Sequence, residues 1–135
     1  MKWEPLAAAA IEARRHSHSP YSRFAVGAAV ETESGAVFAG ANVENRSFGV
    51  TLCAERSAFA AAVSAGHRRF LGVAIVTSSS PPSAPCGLCR ETMSEFCTPE
   101  MPILLFNPAG ERRETSLGAL FPEPFRFPAG ETSGS

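Results

Sequence analysis

Two short segments constrain this chain more than any other feature: Thr51-Leu52-Cys53-Ala54-Glu55-Arg56 and Pro85-Cys86-Gly87-Leu88-Cys89-Arg90. Each sets cysteine at the first turn of an expected helix. Unpaired backbone N–H groups and the helix dipole there stabilise a thiolate, the form a metal binds. The N-terminus, Met1-Lys2-Trp3-Glu4-Pro5, carries an acidic residue and a proline where a secretory leader needs an apolar stretch. The expected location is therefore cytoplasmic, where thiols stay reduced and a Cys-x-x-Cys pair reads as a metal site or redox motif before a bridge.

Cys53, Cys86 and Cys89 make a three-sulfur donor set for one Zn²⁺ per chain. Thiolates at about 2.3 Å leave one tetrahedral position for water, the mark of a catalytic rather than a closed structural centre. Water in such a position approaches a pKa of about 7. Three thiolates outweigh one dication and would blunt it as a Lewis acid. Arg56, one turn beyond Cys53, is the candidate to offset them by hydrogen bonding to sulfur. Glu55, two residues from a ligand, is held near the metal without reaching it, where hydrolytic chemistry needs a proton carrier. Simple burial of the cysteines, or a redox Cys86-x-x-Cys89, leaves this combination unexplained. Cys97 has no partner motif and is assigned to core packing. His16, His18 and His67 lack ligand spacing and are read as surface residues, and Arg90 as local support.

At 135 residues the chain is expected to be one domain, short for a self-contained enzyme. Leu6, Ala9, Ala10 and Ala13 recur at helical spacing from Glu4 towards His16. Phe24, Val26, Ala28 and Val30 alternate as in a strand, turn at Glu33-Ser34-Gly35, and return over Val37 to Asn42. An alanine-rich helix from Cys53 to Ala65 meets Gly66. Phe70 to Thr77 reads as a buried strand, Gly87 to Cys97 as a helix and Pro102 to Phe106 as a strand. A short segment and a small helix over Ser116 to Leu120 follow. The order predicts an α/β fold: a three-layer α/β/α domain around a mixed sheet of about five strands. Residues 1–127 form the expected catalytic domain, and 128–135 a flexible tail.

These residues carry a resemblance. Cys53-Ala-Glu55-Arg56 followed, after a strand, by Pro85-Cys86-Gly87-x-Cys89-Arg90 resembles the zinc nucleoside and base deaminases, in their all-cysteine group. The likeness runs through Pro20-Tyr21-Ser22-x-Phe24-x-Val26-Gly27-Ala28 and Gly40-x-Asn42-Val43-Glu44-Asn45, and on to Leu120-Phe121-Pro122 and Phe125. Over nearly the whole chain it is similar to the small cytidine deaminases. The resemblance implies hydrolysis of cytidine or deoxycytidine to uridine or deoxyuridine and ammonia, a reaction of pyrimidine salvage. It implies that Asn42 and Glu44 bind the ribose hydroxyls, although a solvated pair on a strand end is the plainer reading. It further implies that Phe24 packs on the pyrimidine and that the backbones of Ala54 and Cys86 read the base edge. It implies a homotetramer in which Phe125 completes a neighbour's pocket.

Glu91, Phe48 and Arg46 depart from the family pattern. An acidic residue after Cys-Arg resembles blasticidin S deaminase, so a deaminase of another aminopyrimidine nucleoside is the alternative. A net charge of −1 with scattered Lys and Arg excludes a basic stripe for nucleic acid, and no apolar run approaches the ~20 residues of a membrane span. A non-catalytic zinc module would need a fourth protein ligand, and no suitably spaced residue supplies one.

Overall fold

The computed structural model describes residues 1–127; the expected tail, 128–135, lies outside the described residues. Five strands form one sheet in the order β2-β1-β3-β4-β5. They are β1 (Gly27–Thr32), β2 (Val37–Ala41), β3 (Phe70–Val76), β4 (Pro102–Phe106) and β5 (Arg112–Ser116). The β3–β4 pair is parallel and the other three pairs are antiparallel, so the sheet is mixed as expected.

Two-residue periodicity decides which helix covers which face. Ala28 and Val30 of β1, Val73 and Ile75 of β3, and Ile103 and Leu105 of β4 point to one face. There they meet α2 (Ala54–Ser64) and α3 (Gly87–Phe96) through Ala58, Phe59, Ala62, Cys89 and Met93. The alternate residues, Ala29, Ala74, Val76, Leu104 and Phe106, face α1 (Glu4–Arg14) and receive Trp3, Leu6 and Ala10. The strands are thus apolar on both sides, as a sheet covered on both faces requires. A short α4 (Leu117–Leu120) closes the end of α3.

Two expectations need correction. Phe24 to Val26 is not strand; β1 begins at Gly27, and the preceding segment is tied down mainly by side chains, with one backbone bond, from the Asn42 N–H to the Val26 carbonyl at 3.3 Å. Asn42 accepts from the Val26 N–H at 2.9 Å and donates to the Phe24 carbonyl at 2.8 Å, and Arg14 Nε donates to the Ala25 carbonyl at 3.0 Å. The short segment before α4 is a full edge strand, β5. Its sequence, Arg112-Arg113-Glu114-Thr115-Ser116, is polar throughout and therefore shows no alternation to read. Charge on an edge strand discourages pairing with other chains.

Glycine allows the helices to lie close on the sheet. A methyl group at Gly40 would sit 2.7 Å from the backbone nitrogen of Ala58, and one at Gly27 2.0 Å from the Ala10 carbonyl. Gly40→Ala and Gly27→Ala are each expected to destabilise the protein by about 1–3 kcal/mol in urea unfolding, the usual range for overpacking. Gly49→Ala, whose added carbon would meet nothing within 4 Å, is expected to change stability by less than about 0.5 kcal/mol.

Candidate metal centre and substrate cleft

Two helix starts on the same face of the sheet build the centre. Cys53 is the N-cap of α2 and Cys86 the N-cap of α3, each with extended backbone, so both lie one position outside the first turn expected for them. An N-cap side chain ordinarily accepts a hydrogen bond from the helix's free N–H groups. Neither cysteine does so. Both sulfurs turn instead towards Cys89, three residues into α3. The Sγ atoms of Cys53 and Cys86 are 3.6 Å apart, and those of Cys86 and Cys89 3.4 Å. All three fall within 4.8 Å of one another.

This donor set fits zinc. A tetrahedron with sulfur arms of about 2.3 Å has edges of about 3.8 Å, close to the separations seen. The charges point the same way. Three sulfurs this close cannot all be thiolates without a cation between them. The Cys89 thiol hydrogen-bonds to Cys53 and holds it down to about 5, with Arg56 adding to the effect. Cys89, giving its proton to that bond and buried as well, is pushed far above the usual thiol range. A dication would replace the shared protons, and among the described residues no fourth His, Cys, Asp or Glu side chain joins the three sulfurs. No other group of three or more His, Cys, Asp or Glu side chains close enough to share a metal occurs among the described residues.

Arg56 donates through Nη2 to the Thr51 carbonyl at 2.8 Å and to Cys53 Sγ at 3.8 Å. Arg90 donates through Nε to the Pro85 carbonyl at 2.9 Å and through Nη1 to the Leu120 carbonyl at 2.6 Å. In both motifs an arginine one turn into the helix satisfies a carbonyl just ahead of the capping cysteine. Arg56 has the second duty expected of it, at the sulfur; Arg90 supports the backbone.

Beside the sulfurs opens a cleft of about 300 Å³, at the lower end of the range for small-molecule sites. Glu55, only 5% exposed, lines it together with Phe24, Asn42, Glu44, Cys53 and Ala54. Burial raises the Glu55 carboxyl above the ordinary carboxylate range, and the negative Cys53 sulfur adds to the rise. Asn42 Oδ1 accepts from Val26 N–H and from Ser17 Oγ, and Nδ2 spends one hydrogen on Phe24. Its second amide hydrogen remains for the cleft. Glu44 at the rim accepts from the Tyr21 and Ser22 amides at 3.0 Å and from Ser22 Oγ. The Ser22 hydroxyl and amide hold it below the usual carboxylate pKa. One strand end thus presents a donor and an anionic acceptor.

Phe125 is not brought to this cleft; it is 71% exposed and meets Phe127 edge to face, with ring centres 5.4 Å apart. Glu91 and Arg46 are exposed and line nothing here, and Phe48 packs edge-on against Tyr21 outside the cleft. The three histidines line none of it. Cys97 packs against the core, and burial pushes its thiol up to about 12. The sequence reading missed Ser17 and Ser22, which orient Asn42 and Glu44. It also missed Thr77, Ser83 and Ala84, which form a wall of the cleft. The available signal was position: a segment ending on Cys86 must border whatever Cys86 holds.

One zinc per chain is expected by metal analysis, with three of the four cysteines protected from a thiol reagent until a chelator is added. Arg56→Ala is expected to weaken zinc binding about 10- to 100-fold, the usual loss when a ligand's hydrogen-bonding partner is removed. Cys53→Ser gives α2 an ordinary cap. It is expected to abolish zinc binding while making the metal-free protein more stable by about 0.5–1 kcal/mol in denaturant titration.

Comparison with known proteins agrees with this geometry. Residues 2–105 match the model of the cytidine and deoxycytidylate deaminase zinc-binding region. A cytidine deaminase of Sporosarcina psychrophila is 43% identical over 93% of this chain and 92% of its own. The crystal structure of the Burkholderia pseudomallei cytidine deaminase superposes with a TM-score of 0.89 at 45% identity, covering 93% of this chain and all of that one. That of Mycobacterium tuberculosis gives 0.80 at 39% identity, over 94% and 99% of the two chains. These relatives do not favour the blasticidin-type alternative. With three sulfurs set for zinc, a buried glutamate beside them and this match over most of its length, the chain belongs to the zinc-dependent cytidine and deoxycytidylate deaminase family.

Proposed function

We propose that this protein is a zinc-dependent cytidine deaminase that hydrolyses cytidine, deoxycytidine or both to the uracil nucleoside and ammonia. The observation that carries the reading is Glu55, buried at an open three-sulfur centre in a cleft whose rim offers Asn42 and Glu44. Cys53, Cys86 and Cys89 would hold Zn²⁺, which when bound would supply the Lewis acidity for a water nucleophile at neutral pH. Arg56 draws charge from the Cys53 sulfur and keeps that acidity from being quenched. The Glu55 carboxylate takes the proton from the attacking water, passes it to the ring nitrogen, and carries the second proton to the departing amine. Its buried position favours holding a proton between those transfers.

Asn42 donates to, and Glu44 accepts from, the sugar hydroxyls, while Phe24 covers the pyrimidine face. The Ala54 and Cys86 backbones meet the base edge. The charge balance supports a free nucleoside over a nucleic acid. The unit that does this is residues 1–127. Four free thiols, three of them needed for the metal, support a reducing, cytoplasmic location. No helix among the described residues is long and apolar enough to cross a membrane.

Exposed apolar side chains support a homotetramer. Phe48, Val50 and Leu52 ahead of α2, Leu88 on α3, and Phe125 are 45–73% exposed. Buried between copies, this surface would set Phe125 of one chain over the cleft of another. Sedimentation is expected to give four times the chain mass, and Phe125→Ala to lower kcat/KM.

The direct test is ultraviolet-monitored turnover of cytidine and deoxycytidine by the zinc-loaded protein. Glu55→Gln is expected to keep its zinc and to lose about 10²–10⁴-fold in kcat, the range for a positioned proton carrier. Near-full activity in that variant would remove Glu55 from the role. Absence of turnover on either nucleoside by the wild type would overturn the reading as a whole.

A further inference from the structure

The segment between β3 and α3 forms a wall of the cleft and delivers Cys86, yet almost nothing in its own backbone holds it. Among the described residues, Ser78 to Pro85 make no backbone-to-backbone hydrogen bond. The segment is Ser-Ser-Ser-Pro-Pro-Ser-Ala-Pro, three of whose eight residues lack an N–H. Free loops of this composition sample many conformations. A wall that must keep its shape around a ligand needs restraint from elsewhere.

The restraint comes from the turn between β4 and β5. Asn107, 4% exposed, uses its whole amide. Nδ2 donates to the Ser79 carbonyl at 3.0 Å and to Glu111 Oε1 at 2.8 Å, and Oδ1 accepts from the Glu111 N–H at 3.0 Å. Glu111 in turn accepts from Ser80 Oγ. A chain of hydroxyls then runs along the loop, from Thr77 Oγ1 to Ser79 Oγ to Ser83 Oγ. Ser83 and Ala84 line the cleft; Asn107, Glu111, Ser79 and Ser80 do not. At its far end the loop is pinned by Arg90 through the Pro85 carbonyl. Between the two pins lies the stretch that touches the ligand space.

We propose that Asn107 and Glu111 are positioning residues that fix the Ser83–Ala84 wall of the substrate cleft by clamping the loop before Cys86. The inference rests on the cleft being the nucleoside site. The clamp acts on a wall that sheathes bound substrate and touches no reacting atom. Releasing it therefore weakens binding in the ground and transition states alike, which reads as KM rather than kcat. Zinc is insulated from it, because Cys86 and Cys89 are set by α3 and by Arg90.

Glu111 is exposed, so its replacement leaves the core untouched. Glu111→Ala is expected to raise KM for cytidine about five- to tenfold with kcat within about twofold, the size of effect that follows from losing a hydrogen bond of ordinary net strength. Zinc content should stay at one per chain. Glu111→Gln keeps an oxygen for Ser80 and Asn107 and is expected to restore KM to within about twofold of wild type. Ser80→Ala, which removes one bond of the clamp, should fall between. Hydrogen exchange supplies a readout independent of turnover: the Ser83 amide, which points at Thr77 Oγ1, should exchange faster in Glu111→Ala and at the wild-type rate in Glu55→Gln. An unchanged KM with unchanged loop exchange in Glu111→Ala would overturn the proposal. So would a loss of zinc in step with activity, or a Glu111→Gln variant as impaired as Glu111→Ala. Failure of the wild type to turn over cytidine would strike the functional reading, while loop exchange would still report on the clamp.

Discussion

Three sulfur atoms packed within 4.8 Å of one another create an electrostatic problem that the surrounding structure answers. Without a cation, the trio relieves its charge by sharing protons, one sulfur driven down and its neighbour driven up. Protein dipoles answer part of the problem: two helix N-termini converge on the sulfurs, and a guanidinium stands at one of them. A divalent ion answers the rest. The cost is visible locally, since α2 and α3 both begin on a residue that does not cap them. Relinquishing a cap costs about 1 kcal/mol in an ordinary helix. Two helices of one small domain do so at the same point in space, which is how a functional constraint shows through local rules.

The fold makes that convergence possible with few residues. Strand β3 runs between the two helices in sequence, and both pack on the same face of the sheet, so their starts meet beyond the carboxyl end of β3. Clefts in α/β sheets form at such ends. Ile75 and Thr77, at that end, line this one. The opposite wall is the irregular stretch from Ser22 to Val26, held mainly by the side chains of Arg14 and Asn42. Asn42 therefore has two jobs. It fixes the segment that carries Phe24, and it offers its remaining hydrogen to the cleft.

How much of this could be read from the chain depends on where the information sits. The three ligands, Glu55 and the helix starts were legible because the chemistry demands particular residue types at fixed helical spacing. The buried strands were legible because both of their faces are apolar. Strand β5 was not, since its residues are polar on both sides and its pairing is dictated by β4. Phe24 to Val26 alternates like a strand but is held by Asn42, eighteen residues beyond Phe24 in the chain, and alternation alone carries no trace of that partner. The grip of Asn107 and Glu111 on Ser79 and Ser80, and the place of Ser83 and Ala84 in the cleft wall, were likewise invisible. Serine and proline in a connection say that a loop is present, not what grips it.

This contrast divides the molecule along a physical line. The three sulfurs and the Glu55 carboxyl sit on helix starts backed by a sheet. The residues that line the outer walls of the cleft sit on three irregular stretches, around Phe24, Glu44 and Ser83, each held by side-chain amides, carboxylates and hydroxyls. A hydrogen bond of this kind is worth only about 0.5–1.5 kcal/mol net, so single substitutions outside the cleft can reshape its walls without disturbing the metal. Glu91, Phe48 and Arg46, the positions at which this chain departs from its family's pattern, do not line the cleft, although Phe48 borders a neighbouring pocket that shares Ser22, Glu44 and Thr51 with it. In a scaffold divided in this way, changes to the staples of the walls can alter the shape of the cleft while the three-sulfur centre stays in place.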